Sequence, residues 1–581
     1  MDHSKFDAYI ENTMDSWHCP GVSIAIIKED EVIYQQSFGF RDVARQLLLT
    51  EDTRFALASV TKSFTAMSAA LLVDDGLLEW DRPVCNYMPE FILDDPYITR
   101  HVTIRDMLSH RTGLPRHDFA AWRLELSRSE FIKRMRHLKF SATFREKAQY
   151  NNLMYAAIGY LVEKVSGQRW EDFVQQRIFS PLRMEASNFG PAPNVSGHVI
   201  AEGYRIERDE EGKFNQLRHM PFGIHTELSP GPAGALFSTL ADLTQWLKLH
   251  INEGKSDDMQ LVSRANLKQM HMPQMVIPVG GMGYALSGLT MSSYGMGWTV
   301  RPYPYSAGTL ISHGGNVEGH SLEIGFVPES KVGVVVLTNA AASTIPTILI
   351  REAIDRVLDL PSKDWNAKFH MAYDPLLAAA GKREGTASEN KLENAPASHE
   401  LGAYVGTYSA DGYPDLAIKH EEGKFFARTV GSLPWSELRH YHYDVFEWHL
   451  SIWDDDWIKA KFLTNEAGEI GSISIPLAPE ISDIVFVRKP ITLDELTLSA
   501  IAGQYDPGIH GVMFSISHKN GIIYWQESSG QPAVVALPCN NRGAEVELRI
   551  NQSTVCFFQT DGKFTRLVLK TSGATYEAFK R

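Results

Sequence analysis

Ser59-Val60-Thr61-Lys62 places a hydroxyl and an amine three residues apart at the predicted start of a helix. That spacing puts both side chains on one helical face, near enough to share a proton. Serine is a weak nucleophile and needs a neighbour to accept its proton. A lysine desolvated near the positive end of a helix has a lowered pKa and can serve. Alone, the pattern also fits an N-cap serine followed by a solvated lysine. Two further groups of residues shift the balance. Tyr150-Asn151-Asn152 precedes the apolar run Leu153 to Val162, which reads as a buried helix, so a phenol and an amide can point from a loop into one cleft. His313-Gly314-Gly315 comes just before the last strand pair, where glycines permit close approach of a ligand. A backbone N–H there could face that of Ser59 and hold a carbonyl oxygen between them.

In this order and at this wide spacing, the three groups resemble the motifs of the serine β-lactamase and penicillin-binding superfamily. The branch most similar is the class C β-lactamase, D-aminopeptidase and carboxylesterase group. Leu108-Ser-His-Arg-Thr-Gly-Leu-Pro115, Phe144 to Asn152, Gly231-Pro-Ala-Gly234 before Ser238-Thr-Leu-Ala-Asp242, and Tyr294-Gly-Met-Gly-Trp298 also resemble that group, over roughly residues 5 to 355. The resemblance implies that Ser59 is acylated and that Lys62 and Tyr150 share the proton transfers, with the base in each step left open. It implies that Asn152 bonds substrate or orients Lys62, and that the N–H groups of Ser59 and Asn316 hold the oxyanion. His313, Gly314 and Gly315 take the third-motif position on the substrate side. No cofactor or metal is implied.

One departure bears on substrate. β-Lactamases carry lysine where this chain has His313, and that lysine pairs with a substrate carboxylate. Histidine is mostly neutral at pH 7 and anchors a carboxylate poorly. The expectation therefore moves toward an esterase or D-aminopeptidase acting on a small molecule or short peptide, and away from penicillin cleavage. Acyl transfer through the same acyl-enzyme, a penicillin sensor and a non-catalytic scaffold are the competing readings. Asn151 and Asn316, where relatives often carry serine, leave the chemistry intact.

The elements that must hold these residues follow from patterning. Phe6 to Trp17 reads as a helix, Gly21 to Ile27 and Val32 to Phe38 as strands, and Ser59 to Asp75 as a helix ending at Gly76. Leu322 to Val327 and Val332 to Leu337 form another hairpin, so strands at both ends of the region complete one sheet. That is an α/β sandwich rather than a βαβ repeat. The catalytic domain is expected over 1–360 and a polar linker over 361–399. Beyond it, Leu401-Gly-Ala-Tyr-Val-Gly-Thr-Tyr408 and Leu498-Ser-Ala-Ile-Ala-Gly-Gln-Tyr505 share L-x-A-x-x-G-x-Y, 97 residues apart. Glu422 to Phe426 matches Asn520 to Tyr524 in the same way. Alternating runs and turn signals in both units predict two small antiparallel, lipocalin-like barrels, over 400–490 and 491–581. The barrels are expected to narrow the active site or to pair protomers into a homo-oligomer.

Composition narrows the classes. Hydrophobic residues make up 44% and charged residues 22% of 581, ordinary for a globular chain, and the net charge of −14 disfavours nucleic acid and anionic membranes. The N-terminus lacks the apolar core of a secretory signal and no run is long enough to span a membrane, so a cytoplasmic location is expected. Cys19, Cys85, Cys539 and Cys556 form no CxxC pair, and that compartment argues against a Cys539–Cys556 disulfide. His440-Tyr-His-Tyr-Asp444 superficially matches an HxHxD zinc site, but alternating His and Tyr before an apolar run reads better as two faces of a strand. His110 is read as a residue that satisfies turn backbone.

Overall fold

Strands from the two ends of the first 340 residues meet side by side. In the computed structural model all residues are described except 122–123, 125, 192–198, 210, 222–229, 290, 362, 387–390, 431–433, 452–454, 479, 491–492, 520–521, 529–531, 542–544 and 551–552. A nine-stranded sheet runs in the order Met275–Pro278, Met291–Tyr294, Thr299–Tyr303, Gly308–Val317, His320–Val327, Val332–Thr338, Gly21–Lys28, Glu31–Asp42, Leu47–Leu48. Every neighbouring pair is antiparallel. Gly21–Lys28 therefore joins the early hairpin to the late one.

Both faces of this sheet are covered, and the period of two decides which residue meets which helix. Val22, Ile24, Ile26, Val334 and Val336 pack with Phe6, Ile10, Ile345 and Ile348 of the helices His3–Trp17 and Ile345–Val357. Ala25, Ile27, Val335 and Leu337 belong to the opposite core, with Phe64 of Thr61–Asp74 and Trp246 of Leu240–Ile251. The helix Thr61–Asp74 is buried all round through Leu72, so its faces show no strong polar side. A helical part formed by Ile104–Leu108, Arg128–Arg134 and Asn152–Ser166 completes that core.

The segment expected as a linker over 361–399 is corrected in its first half. Trp365–Thr386 is a helix, and Trp365 and Phe369 are buried against the sheet domain with Tyr373 and Leu377 beside them. The spacing 365, 369, 373, 377 is an amphipathic stripe that a proline at 375 and the polar stretch from Lys382 hide from a reading by composition.

Two closed eight-stranded barrels follow, one from Gly406–Ser409 to Ile484–Arg488 and one from Gly503–Asp506 to Thr575–Lys580. The L-x-A-x-x-G-x-Y repeat has a structural meaning. Tyr408 Oη donates to the carbonyl of Tyr404 and Tyr505 Oη to that of Ile501, each at 2.8 Å, locking a short helix to the first strand of its barrel. The second repeated stretch turns the hairpin from Leu416–Glu421 to Lys424–Thr429, and its partner joins Phe514–Lys519 to Ile522–Glu527, with residues 520–521 outside the described set. Cys539 and Cys556 sit on Val534–Asn541 and Ser553–Thr560, with Glu545–Ile550 between them. Two strand spacings, about 10 Å, exceed the reach of a disulfide.

The first barrel is not a separate bead. Its interior, including Tyr404, Trp448 and Phe462, is continuous with the core around Thr61–Asp74. The second barrel has a core of its own. Within 440–444 the polar groups are used locally: His440 Nε2 meets the Tyr443 carbonyl at 2.7 Å, and Asp444 accepts from Ser398 and Tyr404.

Candidate active site

Ser59 sits in the single 3-10 turn Ala58–Val60 that leads into Thr61–Asp74. Ala58 before it takes φ +45°, a left-handed conformation that costs a non-glycine residue of order 1–3 kcal/mol. The turn is held from the other side by the strand Gly308–Val317. A Cβ at Gly315 would lie 2.3 Å from the Leu57 carbonyl oxygen and 3.3 Å from Ala58 Cβ, so only glycine lets the strand close on the turn. At Gly314 the nearest atom would be 3.5 Å away, an ordinary contact.

Lys62 is fully buried. Its Nζ stands 3.1 Å from Ser59 Oγ and 2.8 Å from the Ala233 carbonyl, and 4.9 Å from the centre of the Tyr150 ring. No carboxylate pairs with it among the described residues. Burial pushes its pKa well below the ordinary lysine value; the positive charge of Arg116 adds to this and Asp118 opposes it. Burial raises the Tyr150 phenol above its ordinary value, with Ser59 and Arg116 pulling the other way. The site thus pairs an amine inclined to be neutral with a phenol inclined to stay protonated.

The loop before Asn152–Ser166 places the second motif. Asn151 caps that helix by accepting from the Met154 N–H at 2.9 Å, and its amide nitrogen donates to the carbonyls of Leu114 and Pro115. Asn152 Nδ2 donates to Asp118 Oδ1 at 2.9 Å, which turns its carbonyl away from that bond. Asp118 Oδ2 also accepts from Arg116 at 2.7 Å. His110, at φ +58°, accepts the Asn151 N–H on Nδ1 at 3.1 Å and packs its ring 4.4 Å from Tyr150. Its place is that of a turn residue backing the phenol.

His313 is buried and spends both ring nitrogens on the protein. Nδ1 donates to the Gly314 carbonyl at 2.7 Å, which leaves Nε2 to accept from Tyr294 Oη at 2.8 Å. Burial, helped by the Lys62 charge, lowers its pKa to about 3, so the ring is neutral. On this strand Gly314 and Asn316 are exposed, whereas His313 is buried.

These groups border one cleft of about 740 Å³, lined by Ser59, Tyr150, Asn152, His313, Gly314 and Asn316 together with Arg116, Asp118 and Ala233. The last three were not singled out in the sequence. Ala233 lies in the Gly231–Gly234 stretch already noted, whereas nothing about Arg116 and Asp118 marks them before the chain is folded. Gly315 faces the turn. The far wall comes from the first barrel, through Leu450, Ile458, Leu477, Ala478 and Glu480. The barrel is anchored there by His117 Nδ1 and Tyr413 Oη at 2.6 Å and by Phe119 against Trp448, ring centres 5.9 Å apart. Among the described residues no group of three or more metal-binding side chains is found.

Fold and family together place the chain among the β-lactamase-fold serine hydrolases. The chain belongs to the Beta-lactamase family, whose model matches residues 6–356, and residues 390–488 match a domain of unknown function (DUF3471). It is 28% identical to the "Unguisins hydrolase ungD" of Aspergillus violaceofuscus over 73% of this chain and 78% of that one. It is 22% identical to "Protein flp" of Staphylococcus aureus over 59% of this chain and 64% of the other. Among solved structures it is similar to the octameric penicillin-binding protein homologue of Pyrococcus abyssi, with TM-score 0.53, 24% identity, and 84% of this chain and 100% of that one covered. A class C β-lactamase covers 62% of this chain and 98% of its own, with TM-score 0.50 and 20% identity. At these identities the solved structures speak for the fold.

Proposed function

We propose that this protein hydrolyses an amide or ester of a small molecule or short peptide through an acyl-Ser59 intermediate, in the manner of a D-aminopeptidase or esterase rather than a β-lactamase. The observation that carries the reading is the buried Lys62 amine, without a carboxylate partner, 3.1 Å from Ser59 Oγ. Neutral Lys62 takes the Ser59 proton as Oγ bonds to the substrate carbonyl carbon. The N–H groups of Ser59 and Asn316, on opposite sides of the cleft, hold the oxyanion. Tyr150, still protonated, passes a proton to the departing nitrogen or oxygen as its bond to carbon breaks, and is reprotonated from Lys62. Water then repeats the sequence on the acyl ester and frees Ser59.

Two features support this reading. A neutral His313 with both nitrogens occupied offers no cation to a β-lactam carboxylate. The relative named as a hydrolase of unguisins matches over 73% of this chain, which supports hydrolysis as the outcome. The test is to incubate wild type and Ser59→Ala with a p-nitrophenyl ester, D-alanine p-nitroanilide and nitrocefin, and to follow intact mass. Ester or anilide turnover with a transient acyl adduct is expected, absent in Ser59→Ala. Turnover that persists in Ser59→Ala would overturn the mechanism, and nitrocefin as the best substrate would overturn the assignment.

A further inference from the structure

A second cavity of about 460 Å³ meets the catalytic cleft at Asn316, which lines both. Its walls include apolar Leu286, Phe369 and Tyr373, and two arginines, Arg301 and Arg351. Arg351 is only 8% exposed and makes no ion pair among the described residues. Its guanidinium lies 5.1 Å from the Trp365 ring centre and 5.5 Å from that of Phe369, and its Nη1 has no hydrogen-bond partner. Arg301 Nε and Thr344 Oγ1 are likewise unsatisfied.

The nearby negative charge does not balance this. Glu323 serves Arg301 at 3.6 Å and accepts from Thr347 at 2.6 Å. Asp355, one turn beyond Arg351, accepts from Tyr303 and Trp365, and Glu352 pairs with Arg356. Two guanidinium groups thus face one available carboxylate. Burial, with the repulsion of Arg301 next, pulls Arg351 down to about 10. The start of the helix Ile345–Val357 adds its partial positive charge beside Thr344 and Thr347; the Ile345 N–H donates to Ser343 Oγ at 3.3 Å, while Thr344 at the N-cap makes no cap bond. A buried, uncompensated cation is costly, and an anion bound beside it removes the cost.

We infer that this cavity is a binding site for a small apolar carboxylate, separate from the acyl chemistry at Ser59. The carboxylate would complete the charge of Arg301 and Arg351, and an aryl or alkyl tail would lie against Leu286, Phe369 and Tyr373. A bare inorganic anion would leave that apolar wall uncovered.

Isothermal titration calorimetry of the full-length Ser59→Ala protein with 4-phenylbutyrate tests this, with 4-phenyl-1-butanol as the neutral control. Saturable one-to-one binding is expected, weakened at least about tenfold for the alcohol and in Arg351→Met and Arg301→Gln, because charge-assisted bonds are lost. Should Arg351→Met fail to fold, Arg301→Gln decides, since that side chain is 23% exposed and less tied to the core. Three results would overturn the site: no saturable binding, binding as tight in both arginine variants as in their parent, or binding abolished when Ser59 of the wild type is blocked by a bulky phosphonate. The last would place the probe in the catalytic cleft.

Discussion

At Lys62 the protein buries an amine, and the proposed mechanism uses that amine as its base. The charge state of that amine is tuned by two residues of one loop, Arg116 and Asp118, acting with opposite sign. On that mechanism activity requires neutral Lys62, so the rate is expected to fall as pH drops through its depressed pKa. Asp118→Asn removes the group that favours the ammonium form and should move this acid limb to lower pH. Arg116→Gln removes a repelling cation and should move it to higher pH, by up to about one unit each way for partly screened charges. A pH profile of kcat/KM reads both, and limbs that shift in the same direction would remove Lys62 as the base. That Ser59, Lys62, Tyr150 and Asn152 would meet was legible from the order of their motifs and the family resemblance, not from the Ser59–Lys62 spacing alone. Asp118 and Arg116 were not, since Asp118 meets Asn152 across 34 residues of chain. The use of His313 was hidden for the same reason: its partner Tyr294 comes from a different strand.

At the scale of elements, the strand Gly308–Val317 closes on the turn Ala58–Val60, as the proposed pair of oxyanion donors requires. Gly315→Ala would drive a Cβ to 2.3 Å from the Leu57 carbonyl oxygen, and either the strand or the turn must give way. We expect a loss of about 2 kcal/mol in stability and a larger loss of kcat than of substrate binding. Gly314→Ala, whose Cβ would meet the Leu322 carbonyl oxygen at an ordinary 3.5 Å, should leave stability within about 0.5 kcal/mol. Thermal melts and steady-state kinetics of the pair check this, and equal behaviour of the two variants would contradict the packing argument. Four of the nine sheet strands and the helix after Ser59 were readable from periodicity, with bounds off by up to four residues. The barrels were readable because Tyr408 and Tyr505 recur at the same point of a repeated unit. Trp365–Thr386 was missed because Pro375 and the polar stretch that follows outweigh a stripe of four residues.

For the whole molecule, the catalytic cleft belongs to two domains, with Leu450, Ile458 and Leu477 of the first barrel forming its far wall. With that wall, the barrel is expected to set substrate size and the sheet domain the bond chemistry. Leu477→Ala together with Ile458→Ala should raise kcat/KM for bulky acyl esters relative to acetyl esters by about tenfold, the order of a few methylenes of packing. An unchanged ratio across acyl sizes would mean that the barrel does not select.

The hydrophobic cores are distributed unevenly among the three parts of the chain, and this governs how the protein melts. One core runs from the nucleophile helix into the first barrel, while the second barrel closes on its own residues. Residues that share packing unfold together, and those that do not can separate. Scanning calorimetry should therefore show two endotherms, the smaller from the second barrel alone. Enzymatic activity should survive the smaller one and vanish with the larger, in step with loss of the first barrel. The protein would then carry a removable passenger at its C-terminal end, joined to a catalytic machine whose own β-barrel cannot be detached without stopping it.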